Sequence, residues 1–199
     1  QAIGGVPAQS LPVLDSLHAD PTRFVTRSVA NHLNDISKKD PSTVIARLAN
    51  WQDAGQQHSK ELGWMRKHAL RGLIKAGDPA AMAHLGYRPD LPVDLSHFSI
   101  TPGTLARGDS AEIKLTLQVD DDAPLIVDYV VDFVKANGQT APKVFKMKVL
   151  EAKAGQPVTL RKKHVFKDNA TTFTLYPGAH ALHVQVNGRV IATLPFTLT

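Results

Sequence analysis

The chain has 199 residues, 43% hydrophobic and 21% charged, which is room for one large or two modest soluble domains. It has no cysteine, which excludes a disulfide framework and a thiolate metal centre, and no apolar run approaches the ~20 residues needed to span a bilayer. The net charge of +5, with a pI near 9.5, favours an anionic partner.

Residues 1–10 are rich in Gly, Ala and Gln and read as a frayed start. The opening QAIGGVPAQSLPVL lacks the charged start and apolar core of a signal peptide, so a cytoplasmic location is expected. Leu11, Val13, Leu14 and Leu17 predict a short helix over 11–19. The stretch from Asp20 to Pro41, DPTRFVTRSVANHLNDISKKDP, predicts the helix on which the rest of the chain depends. Asp20 is placed as its N-cap and Pro21 at its first position, giving a helix over 21–38. Val25, Val29, Leu33 and Ile36 make one buried stripe. Arg23, Arg27, Asn31, Asn34 and Lys38 fall on another face, within about 80° of arc. Cations and amides without an acid suit a phosphate backbone and a sugar or base edge, although any solvated helix also carries a polar face.

Asp40-Pro41 starts the next helix, whose apolar face is Val44, Ile45, Leu48 and Trp51, with Trp51 assigned to the core. A polar loop over 52–59 leads into a helix over 60–76 that stops at Gly77. Asp78-Pro79 opens a last short helix ending at Gly86. The starts at Asp40 and Asp78 are 38 residues apart, a spacing expected of HEAT-type repeats. Only about two repeats are present where three or more are usual, so further repeats upstream or packing on the following domain are expected. On the 60–76 helix, Trp64, His68, Arg71 and Lys75 share a face that parallels the polar stripe of 21–38. Trp64 is either a core anchor or an exposed stacking residue.

Arg88 to Val93, RPDLPV, is the expected linker, and beyond it the hydrophobic period changes from helical to alternating. Strands are predicted near 97–100, 113–119, 125–133, 143–150, 157–166, 171–175, 180–186 and 189–198, with hairpin-type turns at Asn137-Gly138 and Asn187-Gly188. That density of short strands indicates an immunoglobulin-type sandwich. Basic residues accumulate from Lys135 to Lys167, with Lys135, Lys143, Lys146 and Lys163 the chosen phosphate contacts, and Glu151 the acid among them. A solvated strand face is the alternative.

Other chemistry is not marked. Gly103 and Gly108 sit between strands with no helix to receive a phosphate, and the nine histidines do not follow a metal-ligand spacing. His180 and His183 should face opposite sides of a strand. Neither a nucleophile elbow nor a triad is evident.

SVANHLNDISKKDP, followed by ELGWMRKHALRGLIKAGDPAAMAHLG, resembles the DNA alkylation-repair glycosylases built from HEAT-like repeats, and within them the AlkC branch. VDYVVDFVKANGQTAPKVFKMKVLEAKAG and YPGAHALHVQVNG are similar to the immunoglobulin-like domain that follows the repeats in that branch. The resemblance spans roughly 11–198. It implies hydrolysis of the N-glycosidic bond of alkylated, cationic bases such as N3-methyladenine in duplex DNA, without extruding the base into a pocket. It also implies catalytic carboxylates in upstream repeats, so this chain by itself is expected to bind DNA and release little methylated base. In the sister branch an aromatic and a basic residue stand where this chain has Asn31 and Asn34, so their roles do not carry over directly. Asn31 and Asn34 are the lesion-proximal candidates and Asp35 the catalytic one. Asp35 equally fits a surface acid paired with Lys38 or Lys39.

The expected architecture is therefore multidomain α and β: HEAT-like α-helical repeats over 1–87, then an all-β immunoglobulin-like sandwich over 96–199. Backbone contacts are assigned to Arg23, Arg27, Lys38, Trp64, His68, Arg71, Lys75, Lys135, Lys143, Lys146 and Lys163. The expected partner is double-stranded DNA, bound by a monomer with no cofactor, metal or membrane. A non-catalytic damage sensor and a protein-interaction scaffold are the rival functions.

Overall fold

The computed structural model describes residues 7–168 and 174–199. The chain divides into a helical unit up to Gly86 and a β unit from Tyr87 onward. Among the described residues the first holds α1 (Pro7–Leu17), α2 (Arg23–Ser37), α3 (Pro41–Ala54), α4 (Ser59–Ala69), α5 (Arg71–Ala76) and α6 (Pro79–His84). The second holds β1 (Asp94–Thr101), β2 (Thr104–Leu105), β3 (Ser110–Gln118), β4 (Ala123–Val134), β5 (Thr140–Ala152), β6 (Val158–Val165), β7 (Gly178–Val186) and β8 (Arg189–Leu198).

In the helical unit α2 is central and packs against α1, α3, α4 and α5. Val29, Leu33 and Ile36 are buried along it, and Val25 is half-buried. The helix starts later than Asp20 predicts. The Asp20 carboxylate accepts from the N–H and hydroxyl of Thr22, two residues on, at 2.7 and 2.5 Å. That local turn engages the carboxylate before it can cap a helix, so Thr22 becomes the N-cap. Asp40 and Asp78 do cap, accepting from Thr43 N (3.1 Å) and Ala81 N (2.8 Å) with Pro at the first helical position of each. α1 begins at Pro7, inside the stretch expected to fray, because Leu11 and Leu14 bury against the unit.

The predicted 60–76 helix is interrupted at Leu70, whose φ of −94° and ψ of 6° leave the helical region. The side-chain oxygen of Asn34 accepts from Gly72 N (3.2 Å), just past the break. A first-turn donor of α5 is thus satisfied by α2. Gly77 then closes α5 in the left-handed conformation, φ 75°. Trp51 is core, as predicted: it is buried, stacks on His18 with ring centres 4.5 Å apart, and donates from Nε1 to Asp15 Oδ1 (2.8 Å).

The β unit is a sandwich of a three-stranded sheet, β1-β3-β6, and a five-stranded sheet, β2-β8-β7-β4-β5. Ile113, Leu115 and Leu117 of β3 meet Leu125, Val127, Val131 and Phe133 of β4 and Leu182 and Val184 of β7 in one core. The 171–175 strand falls on residues 171–173, which lie outside the described residues; Thr174 and Leu175 carry no strand. The Arg88–Val93 segment is not a free linker. Leu91 is 2% exposed within the sandwich core, and its carbonyl accepts from Arg189 (2.9 Å).

Asn187 anchors the same segment. With Gly188 it forms a tight turn at positive φ (46° and 84°), which fits the right-handed strand twist. Its buried amide accepts from Ile126 N (2.9 Å) and donates to the Arg88 and Pro124 carbonyls (3.0 and 3.4 Å). Asn187→Ala strands these partners and places alanine at positive φ. Denaturant unfolding should show a loss of about 1–3 kcal/mol. A change within experimental error would mean that water replaces the amide.

Candidate nucleic-acid interface

α2 and the α4–α5 pair present a polar surface assembled from side chains about 35–41 residues apart. Arg23, on the first turn of α2, makes a two-pronged pair with Glu61 of α4: Nε lies 2.7 Å from Oε1 and Nη2 2.5 Å from Oε2. Thr26 adds its hydroxyl to Glu61 at 2.6 Å. Partial burial alone would raise the Glu61 pKa, but the hydrogen bonds from Arg23 and Thr26 outweigh it and hold the carboxyl low. The Arg23 guanidinium also lies 4.0 Å from the Trp64 ring centre, and Trp64 stacks on His68 at 4.6 Å and 15°. Trp64 is half-buried, so it is part of an aromatic ladder and not a core anchor.

The ladder continues through His68. Its Nε2 lies 2.8 Å from Asn31 Oδ1, and its carbonyl accepts from Arg71 Nη1 at 2.5 Å. Partial burial, followed by the positive charges of Arg71, Arg27 and Arg23, lowers the His68 pKa. At neutral pH the imidazole is uncharged and acts as a hydrogen-bonding element, not a cation. Arg27 and Lys75 are exposed and engage no carboxylate among the described residues.

Asp35 lies one turn beyond Asn31 on α2, with its side chain 69% exposed and Lys38 Nζ 2.7 Å from Oδ1. The Lys38 hydrogen bond and charge, with a smaller contribution from Arg71, keep its pKa below the ordinary carboxylate value. Its oxygens are therefore ionised and open to a ligand.

The structure revises the predicted stripe in three places. Asn34 is buried, with its oxygen on Gly72, because α5 lies across that part of α2. It cannot be a lesion contact without dismantling the α4–α5 junction. Arg23 is engaged by Glu61 and Trp64, and Lys38 by Asp35, so neither presents an unpaired charge. Glu61 escapes a sequence reading because its partners lie 35 and 38 residues away and nothing beside it in sequence marks it.

In the β unit, β5 and β6 are the edges of their respective sheets and adjoin one another. Lys146 and Lys148 are exposed on β5, and Arg161, Lys162 and Lys163 on β6. The Lys143 Nζ sits 5.8 Å from the Phe145 ring centre. Lys135 and Lys143 line an open cleft of about 850 Å³ with Asn137, Pro142 and Tyr176. Lys153 and Arg161 are paired with Asp122 (2.7 Å) and Glu112 (3.3 Å). His180 and His183 do face opposite ways: His180 is buried, and His183 bonds Asp132 and Thr193 outside the core.

The family model described as "Uncharacterised protein YhaZ, C-terminal Ig-like domain" matches residues 94–199, more than half of the chain. The structure of Pseudomonas fluorescens alkylpurine DNA glycosylase AlkC, bound to DNA containing an abasic site analog, superimposes with a TM-score of 0.92 and 34% identity. The match covers 99% of this chain and 54% of that one. This chain belongs to the AlkC-like family. Its β unit is the YhaZ-type C-terminal Ig-like domain. The uncharacterized protein YhaZ of Bacillus subtilis (strain 168) is 35% identical over 195 residues, covering 98% of this chain and 53% of YhaZ. The chain thus spans about half the length of the relatives it matches. No helix among the described residues of this AlkC-like chain is long and apolar enough to cross a membrane. Among the same residues no group of three or more His, Cys, Asp or Glu is placed to hold a metal ion.

Proposed function

We propose that this chain is the lesion-facing C-terminal part of a DNA N-glycosylase that binds duplex DNA as a monomer and releases alkylated, cationic bases such as N3-methyladenine. The observation that carries the proposal is an ionised, solvent-open carboxylate, Asp35, set among Lys38, Arg71 and the Asn31–His68 pair in a fold shared with AlkC. A cationic base is already a good leaving group. As the C1′–N bond breaks, its electron pair leaves with the base and positive charge develops on the sugar. A carboxylate facing that charge stabilises the transition state, water adds at C1′, and its proton passes to solvent. A lowered pKa makes Asp35 a poor proton acceptor, so its role is electrostatic. Arg27, Arg71 and Lys75 supply phosphate contacts from the helical unit, and Lys135, Lys143, Lys146 and Lys163 from the β unit.

Two measurements test this. The full-length protein should release methylated base from an alkylated duplex; tight binding without release would favour a damage sensor. For binding, Arg27→Ala and Lys143→Ala should each flatten the dependence of log affinity on log salt by about 0.9, the value for one phosphate left unneutralised. Unchanged slopes for both would remove the DNA interface, and a change confined to Arg27→Ala would leave the β unit without a role in binding.

A further inference from the structure

We propose that His68 is a positioning residue that turns the Asn31 amide into a fixed hydrogen-bond donor, and that this donor reads an acceptor atom in the DNA minor groove. The inference rests on the DNA-binding reading and adds what one residue recognises there.

The geometry begins with His68, which is held once at its ring and once at its backbone. Its ring stacks on Trp64, and its carbonyl is gripped by Arg71. Its Nε2 lies 2.8 Å from the Asn31 oxygen. A carbonyl oxygen only accepts, so the proton is on Nε2 whether the ring is neutral or charged. The bond therefore survives titration of His68, and it points the Asn31 oxygen toward α4. The amide NH₂ is left on the free edge of an exposed residue. Asn31 normally offers both a donor and an acceptor; here its outward edge is donor-only.

The charges around His68 are mainly positive, with Asp35 paired to Lys38 and Glu61 to Arg23. Arg71, Arg27 and Arg23 are the charges that act on His68. A phosphate oxygen is better satisfied by the Arg27 and Arg71 guanidinium groups, whose charge-assisted bonds are roughly twice as strong as a neutral one. The neutral amide is suited instead to an uncharged acceptor on a base edge. In the minor groove A·T and T·A pairs display only such acceptors, adenine N3 and thymine O2, whereas G·C pairs add a donor that would oppose the amide. The substrate preference implied is A·T pairs beside the lesion.

The test compares two duplexes carrying the same abasic-site analogue, one with adenine and one with 3-deazaadenine at the pairs flanking it. The second lacks the N3 acceptor and is otherwise matched. The intact protein should bind it about fivefold more weakly, the loss of one hydrogen bond. Asn31→Asp and His68→Leu should bind both duplexes alike, while His68→Gln, which keeps a donor near Nε2, should restore the difference. The readout is a ratio within each variant, so a general loss of stability cancels, and Asn31→Asp serves if His68→Leu fails to fold. Equal binding of the two duplexes by the unsubstituted protein overturns the proposal, as does a full penalty in His68→Leu. An Asn31-dependent penalty from methylphosphonate in place of phosphate assigns the amide to the backbone and also overturns it. Failure to bind either duplex instead removes the DNA reading itself.

Discussion

Asp35→Asn should reduce single-turnover release of methylated base by about 10²- to 10³-fold, with affinity for the duplex nearly unchanged. Asparagine keeps the size and reach of the side chain and one acceptor oxygen, and removes its charge. The loss should therefore appear in the chemical step, where positive charge develops, and not in binding, which the cations dominate. The pH dependence follows from the lowered pKa. Asp35 stays ionised through the neutral range, so the rate should be flat there and fall only as pH drops through the depressed pKa. Lys38→Ala removes the first cause of that depression, so the acid limb should move to higher pH. A rate for Asp35→Asn within a fewfold of the unsubstituted protein would reduce Asp35 to a surface acid paired with Lys38. The catalytic carboxylate would then have to be sought elsewhere in the full-length protein.

The second large effect concerns the stability of the β unit in acid. His164 on β6 is buried between the sheets, and its Nδ1 lies 2.9 Å from the Tyr129 hydroxyl on β4. Phe145 and Phe166 contact the imidazole edge-on, at 4.7 and 4.5 Å. Burial, with the Lys143 charge second, lowers the His164 pKa from 6.5 to about 4. Burial raises Tyr129 to about 12, so both partners are neutral at physiological pH. The unfolded chain takes up a proton near pH 6.5 that the folded chain refuses until about pH 4. His164 is thus neutral and compatible with the fold above pH 6.5, and its contribution is lost as pH falls from there to about 4. The loss should approach about 3 kcal/mol. Denaturant midpoints of the β unit across this range should fall more steeply than in His164→Gln. Parallel curves would mean that the imidazole is solvated by local opening and that other groups carry the acid sensitivity.

Much of this architecture was legible in the sequence because it rests on local rules. Asp-Pro at 40–41 and 78–79 opens a helix because the carboxylate reaches an N–H three residues on and proline lacks the donor a first turn cannot use, whereas at 20–21 the Thr22 turn takes the carboxylate first. The change from helical to alternating hydrophobicity after Val93 marks a sheet because side-chain direction follows backbone period. The 38-residue spacing proved equally informative. It recurs in the contacts that build the candidate interface: Arg23 with Glu61, Asn34 with Gly72 and, one residue short, Asn31 with His68.

Only the tertiary structure decided which residues of the polar stripe face solvent. Arg23, Arg27, Asn31, Asn34 and Lys38 share one arc of α2 and are equivalent in a helical projection. Where α5 crosses that arc, Asn34 is withdrawn to satisfy Gly72, while Asn31, one turn earlier, keeps its amide at the surface under His68. The break at Leu70, which frees Gly72 N–H for Asn34, has no mark in the surrounding residues. Similarly, Arg88–Val93 reads as a linker from its prolines, yet Leu91 and the Asn187 and Arg189 bonds fold it into the sandwich. Helix and strand identity depend on neighbours in sequence, whereas exposure and pairing depend on what lies across the interface. For Asn31, Asn34 and the 88–93 segment the partner is between 37 and 99 positions away, beyond the reach of any local pattern.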